Sequence, residues 1–203
     1  MRPRPLRVAL TGGIASGKSY CLRRFIAKGA PTIDADLLAR EVIAPGTPGA
    51  QAVLTRFGTL DRKALGDVVF RDAAARADLE AIVHPLVYGA INDWFLSLRH
   101  APFGIADIPL LFETHRAGRF DRVIITTCRP EQQRERLMGR GYSAAEADAR
   151  IGSQLPFDEK WKRAQAAGVA VDVVDTSASL AETDAQVDRL TDVLGSLPPR
   201  VCS

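Results

Sequence analysis

Gly12-Gly13-Ile14-Ala15-Ser16-Gly17-Lys18-Ser19 is the stretch of sequence on which the predicted fold depends. It fits the pattern G-x-x-x-x-G-K-[ST] at every fixed position. Glycines let the backbone wrap around an anion without Cβ clashes, and successive N–H groups then point at phosphate oxygens. We therefore predict a phosphate-binding loop in which Lys18 bridges the β- and γ-phosphates of ATP and Ser19 gives a hydroxyl ligand to Mg²⁺. The residues predicted to contact the nucleotide are Gly13, Ile14, Ala15, Ser16, Gly17, Lys18, Ser19 and Tyr20.

The segments on either side of the loop indicate a parallel sheet. An apolar run at Leu6–Leu10 precedes the loop, helical spacing follows over Ser19–Lys28, and Pro31–Asp34 has the character of a second strand. This strand–helix–strand order requires parallel pairing. We predict an α/β fold, the three-layer core of P-loop nucleoside triphosphatases with a five-stranded parallel sheet. The three further strands are predicted at Gly104–Ile108, Arg122–Thr127 and Ala170–Val174.

The spacing of apolar residues and turns also divides the chain into a core, an insertion and a lid. Residues 35–100 show helical spacing interrupted by turns, which predicts a helical insertion. Residues 130–165 are helical and highly charged, and we interpret them as a candidate helical lid. The predicted nucleotide-binding core then consists of residues 1–34, 101–129 and 166–203.

Composition and charge exclude several classes of protein. The net charge of +3 over 203 residues is far from the dense basic stripe of a nucleic-acid-binding protein. No apolar run approaches the roughly 20 residues that span a bilayer, and the first residues lack the apolar stretch of a secretion signal. Three scattered cysteines without C-x-x-C spacing argue against a disulfide framework or a zinc site. We expect a cytoplasmic protein with small-molecule partners, no nucleic acid and no membrane, present as a monomer or weak homo-oligomer.

Two carboxylates stand at the ends of predicted strands, where open α/β sheets bind their ligands. Asp34 is the preferred candidate for the base that orients or deprotonates an acceptor hydroxyl. It is equally placed to cap the helix that begins near Leu37, and both roles can hold together. Asp107 either reaches Mg²⁺, directly or through water, or contacts the substrate.

Two further residues have open interpretations. Glu113 follows the strand that carries Asp107, and it is either a substrate or supporting residue or a surface acid. His84 precedes Pro85 and is expected to lie between two helical segments of the insertion. A lone histidine is more often structural, although this one is also a candidate contact for the acceptor.

Arg140 is the candidate catalytic residue of the charged segment, because the glycines on either side of it predict an exposed, mobile turn. Arginine stabilises the charge that develops on a transferring phosphoryl group, and closure of a lid excludes water. The alternative is that the segment is only a solvated helical face with ion pairs between residues four apart.

The whole set of motifs resembles the dephospho-CoA kinase family. The similarity covers nearly the whole chain in the family's order, although Ala15 stands where glycine is common and Tyr20 where threonine is usual. The matching stretches are Leu10-Thr11-Gly12-Gly13-Ile14, Ile33-Asp34-Ala35-Asp36 with Ala39-Arg40, Pro45-Gly46, Val69-Phe70, His84-Pro85, Asp107-Ile108-Pro109-Leu110-Leu111-Phe112-Glu113, Arg136-Leu137-Met138 with Arg140, and Arg150-Ile151 with Gln154-Leu155-Pro156.

The resemblance implies transfer of the ATP γ-phosphoryl group to the ribose 3′-hydroxyl of dephospho-CoA, the last step of coenzyme A synthesis. It also implies that residues 35–100 bind CoA, that Asp34 is the base and that Arg140 is the lid arginine. ATP and Mg²⁺ are the implied cofactors. The substrate-binding residues that it predicts are Asp34, Arg40, His84, Asp107, Leu111 and Glu113.

Three rival functions are weighed against this interpretation. A kinase of the same fold could use another acceptor, such as a nucleoside monophosphate, although the insertion 35–100 is large for that purpose. A GTP-dependent switch would need an Asn-Lys-x-Asp stretch, whereas the only asparagine, Asn92, precedes Asp93. A catalytically inactive nucleotide-binding module is disfavoured by four intact residues, which are Lys18, Ser19, Asp34 and Asp107.

Overall fold

The computed structural model describes residues 3–198 and 200–201, which fall into two units. The first unit comprises Met1–Ile33 and Leu98–Ser203, and the second comprises Asp34–Ser97. Cys202 lies outside the described residues. The finer division of the chain into core, insertion and lid stays a prediction.

The described residues contain seven strands and nine α-helices, with a short 3₁₀ helix at Ala117–Arg119. The strands are β1 (Pro3–Arg4), β2 (Leu6–Gly12), β3 (Thr32–Asp34), β4 (Phe103–Asp107), β5 (Arg122–Thr127), β6 (Ala170–Asp175) and β7 (Arg200–Val201). The helices are α1 (Lys18–Ala27), α2 (Ala35–Glu41), α3 (Pro48–Phe57), α4 (Arg62–Arg71), α5 (Ala73–Ser97), α6 (Pro130–Met138), α7 (Ala144–Gly152), α8 (Phe157–Ala166) and α9 (Leu180–Ser196).

The main sheet confirms the predicted α/β fold. Its five strands are parallel and follow the order β3-β4-β2-β5-β6. The chain builds one side of β2 with β3 and β4 and then crosses to the other side with β5 and β6. In such sheets, ligands bind beyond the carboxyl end of the strand at which the order reverses, which here is the end of β2.

The central strand is covered on both faces. Val8, Ala9 and Leu10 are each 0% exposed although consecutive side chains of a strand point to opposite faces. Burial on both faces explains why the centres of β2 (residues 8–10) and β5 (residues 123–125) are apolar without polar alternation. The sheet is therefore the middle layer of the first unit.

One layer consists of α1 and α9, which pack against each other and share a core cluster with the sheet. Phe25 and Cys21 of α1 and Val187 and Leu194 of α9 are fully buried in this cluster. Burial raises the pKa of the Cys21 thiol to about 11, so this side chain stays neutral and acts as a small apolar residue.

Helix α5 corrects the expectation that His84 and Pro85 lie between two helical segments. The helix runs without interruption over Ala73–Ser97 and contains Pro85. A proline leaves one carbonyl of the preceding turn without its helical donor, which usually ends a helix. Here α5 packs against α2, α3 and α4, and Val87 and Ile91 are buried after the proline. The free energy gained from this packing outweighs the cost of the proline within the helix.

A two-stranded antiparallel sheet of β1 and β7 was not predicted. Arg4 of β1 is held by a two-pronged ion pair, in which its two terminal nitrogens donate to the Asp121 carboxylate at 2.6 and 2.9 Å. Among the described residues, no helix combines the length and the apolar composition needed to cross a bilayer.

The α1 layer leads to a first prediction. Phe25→Ala should lower the free energy of unfolding by about 3–5 kcal/mol, because it removes a fully buried ring from a close-packed cluster. Ile26→Ala is the matched control, since the neighbouring Ile26 is 50% exposed and should change stability by less than about 1 kcal/mol. Urea unfolding followed by circular dichroism measures both values, and equal losses would contradict the placement of α1.

Candidate functional site

The glycine-rich loop lies where the sheet topology predicts a ligand site. It joins the carboxyl end of β2 to the first residue of α1, so the positive end of the helix dipole faces the loop. The loop lines a cleft of about 350 Å³ whose other walls include Pro109, Arg140 and Gln154. All residues predicted from sequence to contact the nucleotide, from Gly13 to Tyr20, line this cleft.

Two glycines of the loop are required by its geometry. Gly17 has φ 87°, in the left-handed region, and a Cβ at this position would lie 2.8 Å from Thr176 Cγ2. A Cβ on Gly12 would lie 2.1 Å from Thr126 Oγ1. Ala15 also has a positive φ, 58°, which is unfavourable for a residue with a side chain. The loop therefore holds a strained and closely packed backbone.

Side chains from distant parts of the sequence bind the outer carbonyls of the loop. Arg136 Nη1 donates to the Ala15 carbonyl at 3.0 Å and to Thr176 Oγ1 at 2.9 Å. Thr176 Oγ1 in turn donates to the Ser16 carbonyl at 2.9 Å, and Gln133 Nε2 donates to the Ile14 carbonyl at 2.8 Å. These bonds fix the loop from outside.

Lys18 and Asp107 form an ion pair at the edge of the sheet. The Lys18 ammonium donates to both carboxylate oxygens of Asp107, at 2.5 and 2.6 Å, and the two side chains are 16% and 8% exposed. Asp107 is the last residue of β4, next to β2, and Lys18 is the first residue of α1. The structure thus brings together the predicted phosphate-binding lysine and one of the predicted carboxylates.

The predicted residues Asp34, Arg40 and His84 belong to the second unit. Asp34 caps α2, because its Oδ1 accepts hydrogen bonds from the Asp36 and Leu37 amides at 2.8 and 3.0 Å. This is the structural role that the sequence allowed for it, and the side chain remains exposed. Arg40 is exposed in the last turn of α2, and His84 is partly buried within α5.

Leu111 and Glu113 follow β4 in the first unit. Leu111 is 0% exposed, so it contributes to the core in this conformation. Glu113 is not a solvated surface acid, because its Oε1 lies 3.3 Å from Lys160 Nζ and accepts from the Leu155 amide at 3.4 Å. Lys160 is 1% exposed and is the most deeply buried charged residue in the described part of the chain.

Arg140 is the predicted lid arginine, and it lies in the exposed turn after α6, on the wall of the cleft that the loop also lines. The turn leads to Ser143, which caps α7 in a reciprocal arrangement with Glu146. Hydrogen bonds from Ser143 lower the pKa of the Glu146 carboxyl. The start of α7 is therefore fixed, and Arg140 extends from the turn before it.

Two titratable groups next to the loop have shifted pKa values. The hydrogen bond from the Tyr20 hydroxyl to Asp184, 2.8 Å long, raises the pKa of Tyr20 and joins α1 to α9. Burial raises the pKa of the Cys128 thiol, which lies near the Ala15 carbonyl. Both groups therefore stay protonated at neutral pH, and neither supplies a base to the cleft.

Sequence reasoning assigned no role to Arg136, Gln133, Gln154 or Thr176, all of which touch the loop. Arg136 and Gln154 lie in stretches that carry the family resemblance, which was the one available signal. Thr176 lies in a stretch, residues 173–177, that departs from the family's usual Val-Ile-Asp-Asn-Ser, a departure that left the adenine-side contacts open and gave no sign of contact with the loop. Gln133 had no signal, because its contact with the loop arises only from the folded arrangement of α6.

The residues predicted to bind Mg²⁺ fit its chemistry. Ser19 and Asp107 supply oxygen donors, which this ion prefers, and Mg²⁺ keeps several water or phosphate ligands instead of a full protein cage. Within residues 3–198 and 200–201 there is no group of three or more potential metal-ligating histidine, cysteine, aspartate or glutamate side chains. Ser19 and Asp107 therefore suit a Mg²⁺ ion that binds together with a nucleotide.

Comparisons of the sequence and of the structure with known proteins point to the same family. A family model described as dephospho-CoA kinase matches residues 6–182. A dephospho-CoA kinase from Frankia casuarinae is 43% identical over 191 residues, which cover 90% of this chain and 81% of the relative. Among solved structures, TT1252 from Thermus thermophilus has a TM-score of 0.77 and 31% identity, with 94% and 98% of the two chains covered. The dephospho-CoA kinase from Campylobacter jejuni has a TM-score of 0.68 and 25% identity, with 93% and 96% covered.

The loop geometry leads to a second prediction. Gly17→Ala should weaken ATP binding by more than about tenfold, because the new Cβ collides with Thr176 and forces the loop to move. Gly29→Ala is the matched control, since Gly29 has a similar φ of 82° but open space around it. It should cost about 1–2 kcal/mol of stability from the unfavourable φ alone and leave the ATP affinity unchanged. Calorimetric titration and urea unfolding separate the two effects, and equal ATP affinities in both variants would refute the assignment.

Proposed function

Because the chain belongs to the dephospho-CoA kinase family, we infer that it transfers the γ-phosphoryl group of ATP to the ribose 3′-hydroxyl of dephospho-CoA. The products are coenzyme A and ADP, and the reaction is the last step of CoA biosynthesis. The structural observation that supports this function best is a complete phosphate-binding loop that shares one cleft with Lys18 and Arg140.

On the nucleotide side, we propose that the loop and Lys18 hold the polyphosphate. Backbone N–H groups and the dipole of α1 attract the phosphate oxygens, and the Lys18 ammonium neutralises charge between the β- and γ-phosphates. When ATP binds, Lys18 would leave the Asp107 carboxylate and pair with phosphate oxygens. It would therefore keep an anionic partner throughout. Arg140 would stabilise the charge on the phosphoryl group during transfer.

On the acceptor side, we propose that Asp34 orients the 3′-hydroxyl and accepts its proton. Both capping bonds that Asp34 makes go to Oδ1, which leaves Oδ2 to bind the hydroxyl. A helix cap also fixes the carboxylate in one orientation, and a fixed base is more effective than a mobile one. Arg40, His84, Asp107, Leu111 and Glu113 stay predictions as further acceptor contacts.

We also propose Mg²⁺ as the partner of ATP, with Ser19 and Asp107 as its protein ligands. When bound, the ion neutralises charge on the β- and γ-phosphates. Residues 35–100 would bind the CoA part of the acceptor and residues 130–165 would act as the lid. The cytoplasmic location and the monomeric or weakly oligomeric state stay predictions.

The third prediction is an assay of the reaction itself. The purified chain with ATP, Mg²⁺ and dephospho-CoA should form equal amounts of ADP and CoA, and AMP should not replace the acceptor. Lys18→Met should reduce kcat by on the order of 100-fold or more, because a preorganised charge on the phosphates is lost. Lys28→Met, which removes an exposed lysine just after α1 and outside the cleft, is the control and should retain full activity. ADP formation with AMP, and none with dephospho-CoA, would point to a different acceptor.

The fourth prediction separates the two roles of Asp34. Asp34→Asn keeps an oxygen that can cap α2, so stability should stay nearly constant while kcat falls by about 10²–10⁴-fold through loss of the base. Asp61→Asn is the matched control, because Asp61 caps α4 in the same way and should leave kcat unchanged. Steady-state kinetics and thermal unfolding of both variants provide the measurement. If the Asp34→Asn enzyme is fully active, Asp34 is not the base, and its role is only to cap α2.

A further inference from the structure

Within the described part of the chain, Gln154 is the one side chain that accepts a hydrogen bond from a backbone N–H of the phosphate-binding loop. Its Oε1 accepts a hydrogen bond from the Ile14 amide at 2.6 Å. A backbone N–H can only donate, so its partner must be the oxygen of the carboxamide and not the nitrogen. This contact therefore fixes which end of the carboxamide faces the loop.

The other end of the same side chain remains available for a ligand. Among the described residues, Gln154 Nε2 makes no hydrogen bond, and the residue lines the cleft that also contains Lys18 and Arg140. The two Nε2 hydrogens are donors only. The chemical group that they suit is an anionic oxygen in that cleft.

Gln154 is held by the structure around it. The next residue, Leu155, donates its amide to Glu113 Oε1, and the same oxygen lies 3.3 Å from the buried Lys160 ammonium. Lys160 lies on α8 and Glu113 follows β4, so the pair fastens the short segment between α7 and α8 to the sheet. Donors that are already oriented before the reaction stabilise charge without a cost of reorganisation.

We propose that Gln154 is a further catalytic residue, whose Nε2 donates a hydrogen bond to an oxygen of the phosphoryl group during transfer. The bond from the γ-phosphorus to the oxygen that it shares with the β-phosphate breaks, and a bond to the acceptor oxygen forms. The acceptor proton goes to a carboxylate, for which Asp34 is the candidate. Gln154 neither gains nor loses a proton. The inference rests on the proposed phosphoryl transfer and adds a residue to it.

The fifth prediction compares replacements that differ in donor and acceptor groups. Gln154→Glu keeps an oxygen for the Ile14 amide but removes both N–H donors, and Gln154→Met removes donor and acceptor together. We expect kcat at saturating ATP to fall in both variants, by on the order of 100-fold, as for other preorganised donors. Arg189→Ala removes an exposed side chain of α9, outside the cleft and the proposed lid, and is the control, with unchanged kcat. Thermal unfolding of every variant shows whether the fold is retained.

A purely structural role gives a different pattern. If Gln154 only braces the loop through its oxygen, Gln154→Glu retains that bond, and the added negative charge appears as a higher KM for ATP. A Gln154→Glu enzyme whose kcat stays within about threefold of the parent would therefore overturn the proposal.

The same variants separate this proposal from the proposed acceptor. If the parent chain forms no CoA, the slow hydrolysis of ATP in the absence of an acceptor is measured instead. A lower hydrolysis rate in Gln154→Glu, at saturating ATP, would support the contact with the phosphoryl group even though the acceptor was wrong. An unchanged rate would overturn the contact.

Discussion

A loop that directs its N–H groups at a phosphate must turn its carbonyl groups the other way, and this constraint governs the first unit. Carbonyls that leave water need new donors, because an unpaired buried carbonyl costs free energy. Here the donors are Gln133 and Arg136 of α6 and Thr176 after β6. The phosphate-binding loop is therefore not a local motif alone. Its conformation depends on helices and strand ends far along the chain. Thr176 packs so closely against Gly17 that no Cβ would fit there, so this position needs glycine.

The electrostatics of the site follow from the same sheet topology. Parallel strands end at one edge, so β2 delivers the loop and its neighbour β4 delivers Asp107. Lys18, at the first turn of α1, neutralises that carboxylate in a nearly buried pair. A second pair, between the buried Lys160 and the partly exposed Glu113, lies just beyond the end of β4. Removing one partner of such a pair leaves a buried charge without compensation, which costs far more than the pair itself contributes. The arrangement therefore makes the site rigid and also sensitive to the loss of single charges.

Local patterns in the sequence were enough to predict the five parallel strands, the loop and the capping role of Asp34, because each depends on residues within about one element length. Long-range packing was not predictable in this way. The helix through Pro85 continues because buried side chains such as Val87 and Ile91 outweigh the proline, and no local rule contains that information. The β1–β7 pair joins two short strands from opposite ends of the sequence. Gln154 reaches Ile14 across 140 residues, so its contact with the loop is visible only in the folded chain.

The dependence of the loop on distant donors has a consequence for synthesis on the ribosome. Arg136 follows its partner Ala15 by 121 positions, and Thr176 follows Ser16 by 160. The ribosome therefore releases the phosphate-binding segment long before it releases the groups that shape the loop. Since non-local contacts form only after the intervening chain is available, a nascent chain cannot use ATP as an early folding template. Nucleotide affinity should instead appear only after α6 and the end of β6 have emerged, and a ribosome stalled before that point would present the motif without its folded conformation.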